Sequence, residues 1–341
     1  MSREDILRRA GAHIVDGVVR GFGDLAAELE AAHVGALLID LSHRDRLAVA
    51  GPDAPGFLNR ILSLDVLTLP VGAGGRPFLL DARGRIVGAF RLLRTGPDAY
   101  LFEASRGHGA AIIERLDHYH FGERIAVEPV SEAWALLTIQ GPAAPRVLAS
   151  LDLPAPDAPY GHASASLGGA PGRVARVDRG TGPGFDLWCA PEGFVPLWRG
   201  LIEAGARAGG VDALEIARIE AGRPDHPAEL GDHATPLEVG AADGCSEGKG
   251  CYPGQEVIER TLAIGRPARA LIAVTAPDPL VAGAPVRVDD AVAGTLTSAA
   301  ALPDGRHVGL ALVKRAFAQA STLVSQGVTL TQRPRTQETP P

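Results

Sequence analysis

Residues 249–256 read Lys249-Gly250-Cys251-Tyr252-Pro253-Gly254-Gln255-Glu256, and Val257-Ile258-Glu259-Arg260 follow directly. This stretch brings a cation, a thiol, a phenol, an amide and a carboxylate into a very short segment. A core strand or helix is not built this way, because almost every one of these polar groups needs a hydrogen-bond partner. The two glycines allow tight backbone turns, and the proline stiffens the turn between them. The composition indicates a functional loop, with a well-ordered structural turn as the alternative interpretation.

Cys251 carries the most reactive group of this loop. Lys249 stands two residues away and Arg260 lies in the same segment. Nearby cations lower the pKa of a thiol and raise its thiolate fraction. Cys251 is therefore a candidate nucleophile, redox thiol or transient metal ligand, with a buried inert thiol as the alternative. Cys245 could resolve a disulfide with it, but their spacing is no recognised redox motif.

Composition excludes several classes of protein. The 341 residues suffice for two or three domains, and 46% hydrophobic with 21% charged residues is ordinary for a soluble globular protein. The net charge of −7 and the lack of a basic run argue against a nucleic-acid binder. The chain has only three cysteines, which is more typical of a protein in a reducing compartment than of a secreted, disulfide-bonded fold. A charged N-terminus and the absence of a long apolar run predict a cytoplasmic protein with no membrane span.

Two segments of the first half resemble each other. Residues 47–58 and 137–148 both read as a strand, a Gly-Pro turn and a helix. This similarity predicts a duplicated unit within one layered α+β body. Between the copies, residues 76–93 predict a hairpin, residues 99–103 a strand and residues 107–120 a helix, so we expect an inserted α+β subdomain around residues 60–130.

The second half begins with helices and ends with strands. Apolar spacing predicts a helix over residues 191–208 and another from Asp212 to Gly222, with Glu215 completing a capping box. Beyond Ile264, short β-branched runs separated by turn residues indicate a separate, mostly β domain. The polar, proline-rich residues 331–341 are predicted to be disordered.

Several familiar sites are excluded by their sequence context. Residues 180–184 are glycine-rich, but the strand-like residues that follow cannot supply the helix N-terminus of a phosphate loop. The histidines lack metal-site spacing, and no nucleophile elbow of a serine hydrolase occurs. Arg218 and Glu220 lie at the end of a predicted helix. For these residues, a structural ion pair is a better interpretation than a ligand site.

The loop at residues 249–256, taken with Arg260, resembles the signature of the YgfZ proteins, folate-binding relatives of the glycine-cleavage aminomethyltransferase. Further segments are similar to this superfamily, and the resemblance covers roughly residues 20–320. The similar segments are residues 40–43, 51–54, 57–58, 64–66, 141–144, 184–187, 218–224, 297–298 and 308–311.

The resemblance implies an α+β protein built as a three-domain ring with a C-terminal β-barrel. We expect a folate-binding region over residues 1–240, the signature loop and connection over 241–265, the barrel over 266–330 and a disordered tail over 331–341. It further implies tetrahydrofolate, or a one-carbon derivative, in a central channel and a role in assembling or repairing iron–sulfur clusters in client proteins. We expect a monomer that binds no nucleic acid or membrane.

The resemblance also implies site residues. A pterin presents an N–H and an amino group side by side, which the carboxylate of Asp186 or Glu220 could accept as a pair. The anionic glutamate tail of folate would require arginine or lysine. Cys251 is the predicted reactive thiol, and no metal site is predicted. The predicted folate-binding residues are Asp186, Arg218, Glu220, Lys249, Tyr252, Gln255, Glu256 and Arg260.

One departure from the family bears on catalysis. Aminomethyltransferases place an acidic residue in the hairpin strand, where this chain has Gly88 and Ala89. Neither can exchange a proton, so ordinary glycine-cleavage activity is not expected and a folate-binding accessory protein is the leading hypothesis. Pro183 also stands near the position where the family usually has a glutamate, just before the Gly-Phe pair. The alternatives are a tetrahydrofolate-dependent one-carbon transferase using Asp81 or Glu256 as its base, and a scaffold that has lost its ligand.

Overall fold

The computed structural model describes residues 2–335. Its contacts divide the chain into two compact units, each assembled from separate segments. The first unit contains Met1–Leu58, Val66–Gly75 and Phe90–Ala217, and the second contains Asn59–Asp65, Arg76–Ala89 and Arg218–Pro341.

The regular elements alternate between helices and strands over most of the chain. The helices are α1 (Arg3–Arg9), α2 (Leu25–Val34), α3 (Ala54–Ile61), α4 (Gly109–His118), α5 (Ala144–Ala149), α6 (Phe194–Glu203), α7 (Val211–Glu220) and α8 (Gln255–Ile264). The strands are β1 (His13–Val15), β2 (Val18–Gly21), β3 (Leu37–Asp40), β4 (Asp45–Ala50), β5 (Gly74–Gly75), β6 (Phe78–Leu80), β7 (Ile86–Gly96), β8 (Ala99–Ala104), β9 (Ala126–Pro129), β10 (Ala135–Gln140), β11 (His162–Leu167), β12 (Ala170–Arg176), β13 (Gly184–Cys189), β14 (Arg207–Gly209), β15 (Arg269–Ala276), β16 (Pro285–Val288), β17 (Ala291–Ala301), β18 (His307–Lys314), β19 (Leu323–Ser325) and β20 (Val328–Arg333).

The first unit contains two large sheets. One has the strand order β11-β12-β13-β10-β3-β14, in which only β14 and β3 pair in parallel. The other has the order β5-β7-β8-β4-β9 and is antiparallel. Buried apolar side chains of β3, β10, β13 and α6 form a core on the first sheet, including Leu38, Leu137, Ile139, Leu187 and Trp198.

The two predicted strand–turn–helix segments are confirmed as β4–α3 and β10–α5. Gly51 and Gly141 end the two strands with φ angles of 138° and 120°, which a residue with a side chain rarely adopts. A Cβ atom would lie 2.1 Å from the carbonyl oxygen of Arg124 at the first position and 2.5 Å from that of Gly35 at the second. Close approach of neighbouring backbone therefore requires glycine at both turns.

The second unit contains a closed barrel with the strand order β15-β18-β17-β16-β19-β20. Its core includes Val274, Val286, Leu296, Val313 and Leu330. The predicted α+β fold with a C-terminal β-barrel is thereby confirmed. The second unit also contains the predicted hairpin, in which β6 pairs with the first residues of β7.

Three boundaries differ from the sequence-based expectations. The helix expected over residues 191–208 ends at Glu203, because Gly205 takes a φ of 98° and residues 207–209 pair as β14. Helix α7 begins at Val211, so Asp212 lies in its first turn rather than before it. Strand β20 reaches Arg333, so it occupies part of the segment predicted to be disordered. Residues 336–341 of that segment lie outside the described residues.

None of the helices within residues 2–335 is both long and apolar enough to cross a lipid bilayer.

Candidate functional site

The loop at residues 249–254 is fixed at its start by the buried side chain of Lys249. Its Nζ donates to the carbonyl oxygens of Asn59 at 2.7 Å, Leu64 at 3.1 Å and Leu62. The ring centroid of Tyr252 lies 4.7 Å from the same ammonium, within the range of a cation–π contact. Burial lowers the pKa of Lys249 to about 8. An ammonium has three N–H donors, so the three carbonyls use all of them.

The other end of the loop is fixed at Gly254, immediately before α8. Gly254 has a φ of 79°, and a Cβ atom there would lie 2.4 Å from the carbonyl oxygen of Asp81. The hairpin turn that it touches is ordered by Asp81, whose Oδ1 accepts from the N–H groups of Arg83 and Arg85, each at 2.8 Å. The carboxylate of Asp81, weighed above as a base, therefore stabilises this turn.

Cys251 lies between these two anchors and is exposed, whereas Cys189 and Cys245 are buried. Burial raises the pKa of both buried thiols to about 12. Neither suits the role of a resolving thiol at neutral pH, because attack requires the thiolate. Lys249 makes its three hydrogen bonds to carbonyls and donates none to the thiol of Cys251. Its exposure distinguishes Cys251 from the other two cysteines.

The last two residues of the predicted loop begin helix α8 instead, so the loop ends at Gly254. Gln255 donates from Nε2 to the carbonyl oxygen of Lys249 at 3.2 Å and to Oε1 of Glu259 at 2.6 Å. This amide closes the loop onto the helix that follows it. Glu256 and Arg260 are exposed on the same helix.

Arg218, at the end of α7, belongs to a buried ion pair. It donates to Oε2 of Glu229 at 3.0 Å and to Oγ of Ser298 at 2.8 Å, and Ser298 donates to Oε1 of Glu229 at 2.6 Å. The arrangement matches the structural ion-pair interpretation for Arg218, with Glu229 as its partner. Glu220, the other predicted carboxylate of this helix, is half-buried.

Asp186, on β13 of the first unit, is buried and bound by an arginine. Arg179 donates from Nε to Oδ1 at 3.0 Å and from Nη2 to Oδ2 at 2.5 Å. A pterin would require these same two oxygens. In this arrangement Asp186 does not fit the pterin, because its acceptor pair is taken by a charge-assisted, two-point contact.

Asp186 is part of a larger arginine–carboxylate cluster, formed by Arg44, Arg91, Glu103, Arg179 and Asp186. Glu103, on β8, is 1% exposed. It accepts from Arg44 Nε, from Arg91 Nη1 at 2.9 Å and from Arg179 Nη2 at 3.1 Å. Burial alone would raise the pKa of Glu103, but the charges of Arg179, Arg44 and Arg91 hold it well below its usual range.

The residues of this cluster other than Asp186 were not predicted from the sequence. One signal was present: Glu103 ends the strand predicted over residues 99–103 and directly follows the apolar residues 100–102, and a carboxylate that is buried requires partners. Its partners could not be identified, because Arg44 and Arg179 lie 59 and 76 residues away in the chain.

The predicted site residues divide between the units. Lys249, Cys251, Tyr252 and Gln255 are brought together in one loop and the start of α8, whereas Asp186 belongs to the first unit. The glycine-rich residues 180–184 lead into strand β13, as predicted. Within residues 2–335, no group of three or more His, Cys, Asp or Glu side chains could hold a metal ion.

Comparisons with known proteins give one consistent family. The family model of the GCVT N-terminal domain matches residues 20–246. The aminomethyltransferase of Streptomyces avermitilis is 31% identical over 313 residues, covering 88% of this chain and 84% of that protein. The aminomethyltransferase of Rubrobacter xylanophilus is 31% identical over 317 residues, covering 90% and 84%.

The same family appears among solved structures. The crystal structure of the glycine cleavage system aminomethyltransferase T of Bartonella henselae has a TM-score of 0.85, with 22% identity over 98% of this chain and 96% of that chain. At this identity the similarity shows the fold.

We expect Lys249→Met to lower the free energy of unfolding by about 3 kcal/mol, because it leaves three carbonyl oxygens without their shared donor. Urea denaturation monitored by circular dichroism would measure the change. The matched control is Lys314→Met, since Lys314 is exposed and donates to one carbonyl oxygen, that of Val292, at 3.0 Å. Equal losses of unfolding free energy in the two variants would contradict the role of Lys249 in fixing the start of the loop.

We expect Glu103→Gln to cost about 3 kcal/mol at pH 7, because three arginines lose a charged partner. The depressed pKa of Glu103 also makes the wild-type stability depend on pH. The stabilisation is present above the unfolded pKa of about 4.3 and is lost as the pH falls towards the lower folded pKa.

Urea unfolding between pH 3 and pH 7, at roughly one-unit intervals, would test this expectation. The wild type should lose more stability on acidification than Glu103→Gln. The exposed Glu30 on α2 supplies the control variant Glu30→Gln, which should follow the wild type. Identical acid profiles for the wild type and Glu103→Gln would contradict the depressed pKa.

Proposed function

We propose that this chain, which belongs to the family of the GCVT N-terminal domain, is a tetrahydrofolate-binding accessory protein of the YgfZ type that supports the assembly or repair of iron–sulfur clusters. One observation carries the accessory role: an exposed thiol, Cys251, stands on a loop that is fixed at both ends. A thiol held out from a rigid loop can meet a partner protein without the loop having to become ordered first.

The hairpin supports an accessory role over aminomethyl transfer. Gly88 pairs with Leu79, and a Cβ atom at Gly88 would lie 3.0 Å from Cδ1 and 3.2 Å from Cβ of Leu79. An acidic side chain at this position would therefore require Leu79 to move. Ala89, the next residue, carries only a methyl group. The proton-exchanging group expected of an aminomethyltransferase is absent from both positions.

Cys251 would act through its sulfur. As a thiolate it is a soft ligand suited to iron, and as an exposed thiol it can hold a sulfur species briefly or receive a redox modification. Lys249, Tyr252 and Gln255 would act by holding the loop, as their contacts within it indicate. These roles assign the reactivity to one residue and the geometry to the others.

Folate binding at Asp186 would require an exchange of partners. Arg179 would leave Asp186 to the pterin and keep its contact with Glu103, which its Nη2 already makes at 3.1 Å. The pterin supplies two N–H donors in place of the two that leave. Bound tetrahydrofolate would supply a one-carbon carrier.

A one-carbon transferase is the second candidate, favoured by the long alignment with proteins named aminomethyltransferase. It predicts that the protein forms methylenetetrahydrofolate, ammonia and a free thiol from tetrahydrofolate and an aminomethyl thioether, whose carbon is already at the formaldehyde oxidation level. We expect no product, because positions 88 and 89 lack a base. Formation of product would establish the transferase and overturn the accessory role as the sole function.

We expect Arg179→Gln to tighten tetrahydrofolate binding by about tenfold, because the pterin no longer competes with a charged partner for Asp186. Asp186→Ala should abolish binding that is micromolar in the wild type. Anaerobic titration calorimetry would measure all three proteins, with Arg207→Gln as a control. Arg207 lies in the same unit and pairs at the surface with Asp24.

The outcomes separate the two parts of this hypothesis. Wild-type affinity in Asp186→Ala would place the pterin elsewhere in the protein. An absence of binding in the wild type would overturn the folate-binding role itself. Thermal unfolding of each variant would show that it is folded.

We expect Cys251→Ser to fail to restore the activity of an iron–sulfur dehydratase in cells that lack this protein, because a hydroxyl is a poor ligand for iron. Glu247→Gln is the matched control, since Glu247 is exposed just before the loop and should restore activity fully. Immunoblotting would confirm equal protein levels. Full restoration by Cys251→Ser would rule out the reactive role of the thiol.

A further inference from the structure

The first unit contains a cavity of about 630 Å³ whose walls come from both of its large sheets. Thr95 on β7 and Leu101 on β8 line it from one sheet, and residues 164–165 of β11 and 171–173 of β12 line it from the other. Trp134, directly before β10, completes the described lining. Among these described residues there is no aspartate or glutamate.

Two strands of the second of these sheets place a hydroxyl beside a guanidinium. Ser164 of β11 and Arg173 of β12 are paired in the antiparallel register, and residues paired in this way point to the same face of a sheet. Ser164 and Pro171 are exposed, so the cavity is open to solvent. From the other sheet, Thr95 donates its hydroxyl proton to the carbonyl oxygen of Ala99 at 3.2 Å, which leaves the oxygen of Thr95 able to accept.

Arg173 is the one charged side chain of the described lining, and its hydrogen-bond partner is neutral. Its Nη1 lies 2.6 Å from Nδ1 of His162. A guanidinium only donates, so Nδ1 accepts and the neutral ring carries its proton on Nε2. Burial, and then the charge of Arg173, lower the pKa of His162 to about 4. The imidazole is therefore uncharged at pH 7 and orients the guanidinium without offsetting its charge.

The remaining donors of Arg173 are not used by the protein. Within residues 2–335 Arg173 makes no ion pair, and its Nε and Nη2 donate no hydrogen bond. Burial lowers the pKa of Arg173, and no carboxylate in this part of the chain raises it. Nε and Nη2 form the edge of a guanidinium that binds a carboxylate through two parallel hydrogen bonds. This edge is thus available to an anion.

We propose that this cavity binds a small aromatic carboxylate, with its carboxylate on Arg173 and its ring against Trp134. One guanidinium is matched by one singly charged, planar anion. The half-buried indole of Trp134 and the side chain of Leu101 offer apolar surface to an aromatic ring. The cavity volume lies within the range of small-molecule sites. The site uses none of the residues given folate or thiol roles above and is independent of those roles.

Titration calorimetry of the full chain with 2-naphthoate and its neutral analogue 2-naphthamide would test the proposal. We expect the wild type to bind one naphthoate, about tenfold or more tightly than naphthamide, because the amide lacks the charge that Arg173 recognises. Arg173→Gln should weaken naphthoate binding about tenfold and change naphthamide binding less than about twofold. Retained naphthamide binding shows that the cavity of this variant is intact.

Two further variants complete the test. Trp134→Leu should weaken the binding of both ligands, because both lose the same aromatic contact. Arg199→Gln is the matched control, since Arg199 is an exposed arginine on α6 of the same unit. It should change naphthoate affinity less than about twofold. Thermal unfolding would verify that each variant is folded.

Four results would overturn the proposal. The wild type could show no saturable binding of naphthoate, or it could bind naphthoate and naphthamide equally well. Arg199→Gln and Arg173→Gln could lose affinity equally, which would indicate attraction to the general surface charge. Saturating tetrahydrofolate could displace naphthoate, which would place the ligand in the folate site instead. Continued naphthoate binding in a protein that binds no tetrahydrofolate would support this cavity while overturning only the folate-binding role.

Discussion

The carboxylate of Glu103 is buried among three guanidinium groups, and much of the first unit is organised around it. Arg91 reaches it from the neighbouring strand β7, Arg44 from the turn before β4, and Arg179 from the segment before β13. An isolated buried carboxylate would be strongly unfavourable, so each of these segments is held where its arginine can reach.

The second unit uses the same principle with backbone partners. The ammonium of Lys249 is enclosed by three carbonyl oxygens, which compensate its lost hydration, and the negative charge of Asp65 also favours the ammonium by raising its pKa. The residues of this loop and of the start of α8 therefore differ in what their side chains do. Lys249 and Gln255 direct their donors inward and build the loop. The side chain of Cys251 remains exposed, as the reactive role proposed for it requires.

The elements set by local chemistry could be predicted from the sequence. Gly51 and Gly141 mark turns where only glycine fits, and short β-branched runs between turn residues mark the barrel. The arginine–carboxylate cluster could not be predicted, because its members meet only after distant strands have paired. Helix α8 was not predicted at all, because residues 241–265 were expected to form the signature loop and a connection. Gly254, with its positive φ, instead turns the chain directly into this helix.

In the folate site proposed at Asp186, the pterin would compete with Arg179 for the carboxylate. Removing Asp186 from a guanidinium and giving it to a neutral pterin replaces a charge-assisted pair with a weaker one. The exchange is favourable only if Arg179 keeps good partners after it leaves. Glu103 provides such a partner, and the positive charge of Arg44 and Arg91 on that same carboxylate limits how much more Arg179 can gain there. In that proposed site, the number of arginines that share Glu103 would determine how readily Asp186 is released, and with it the affinity for tetrahydrofolate.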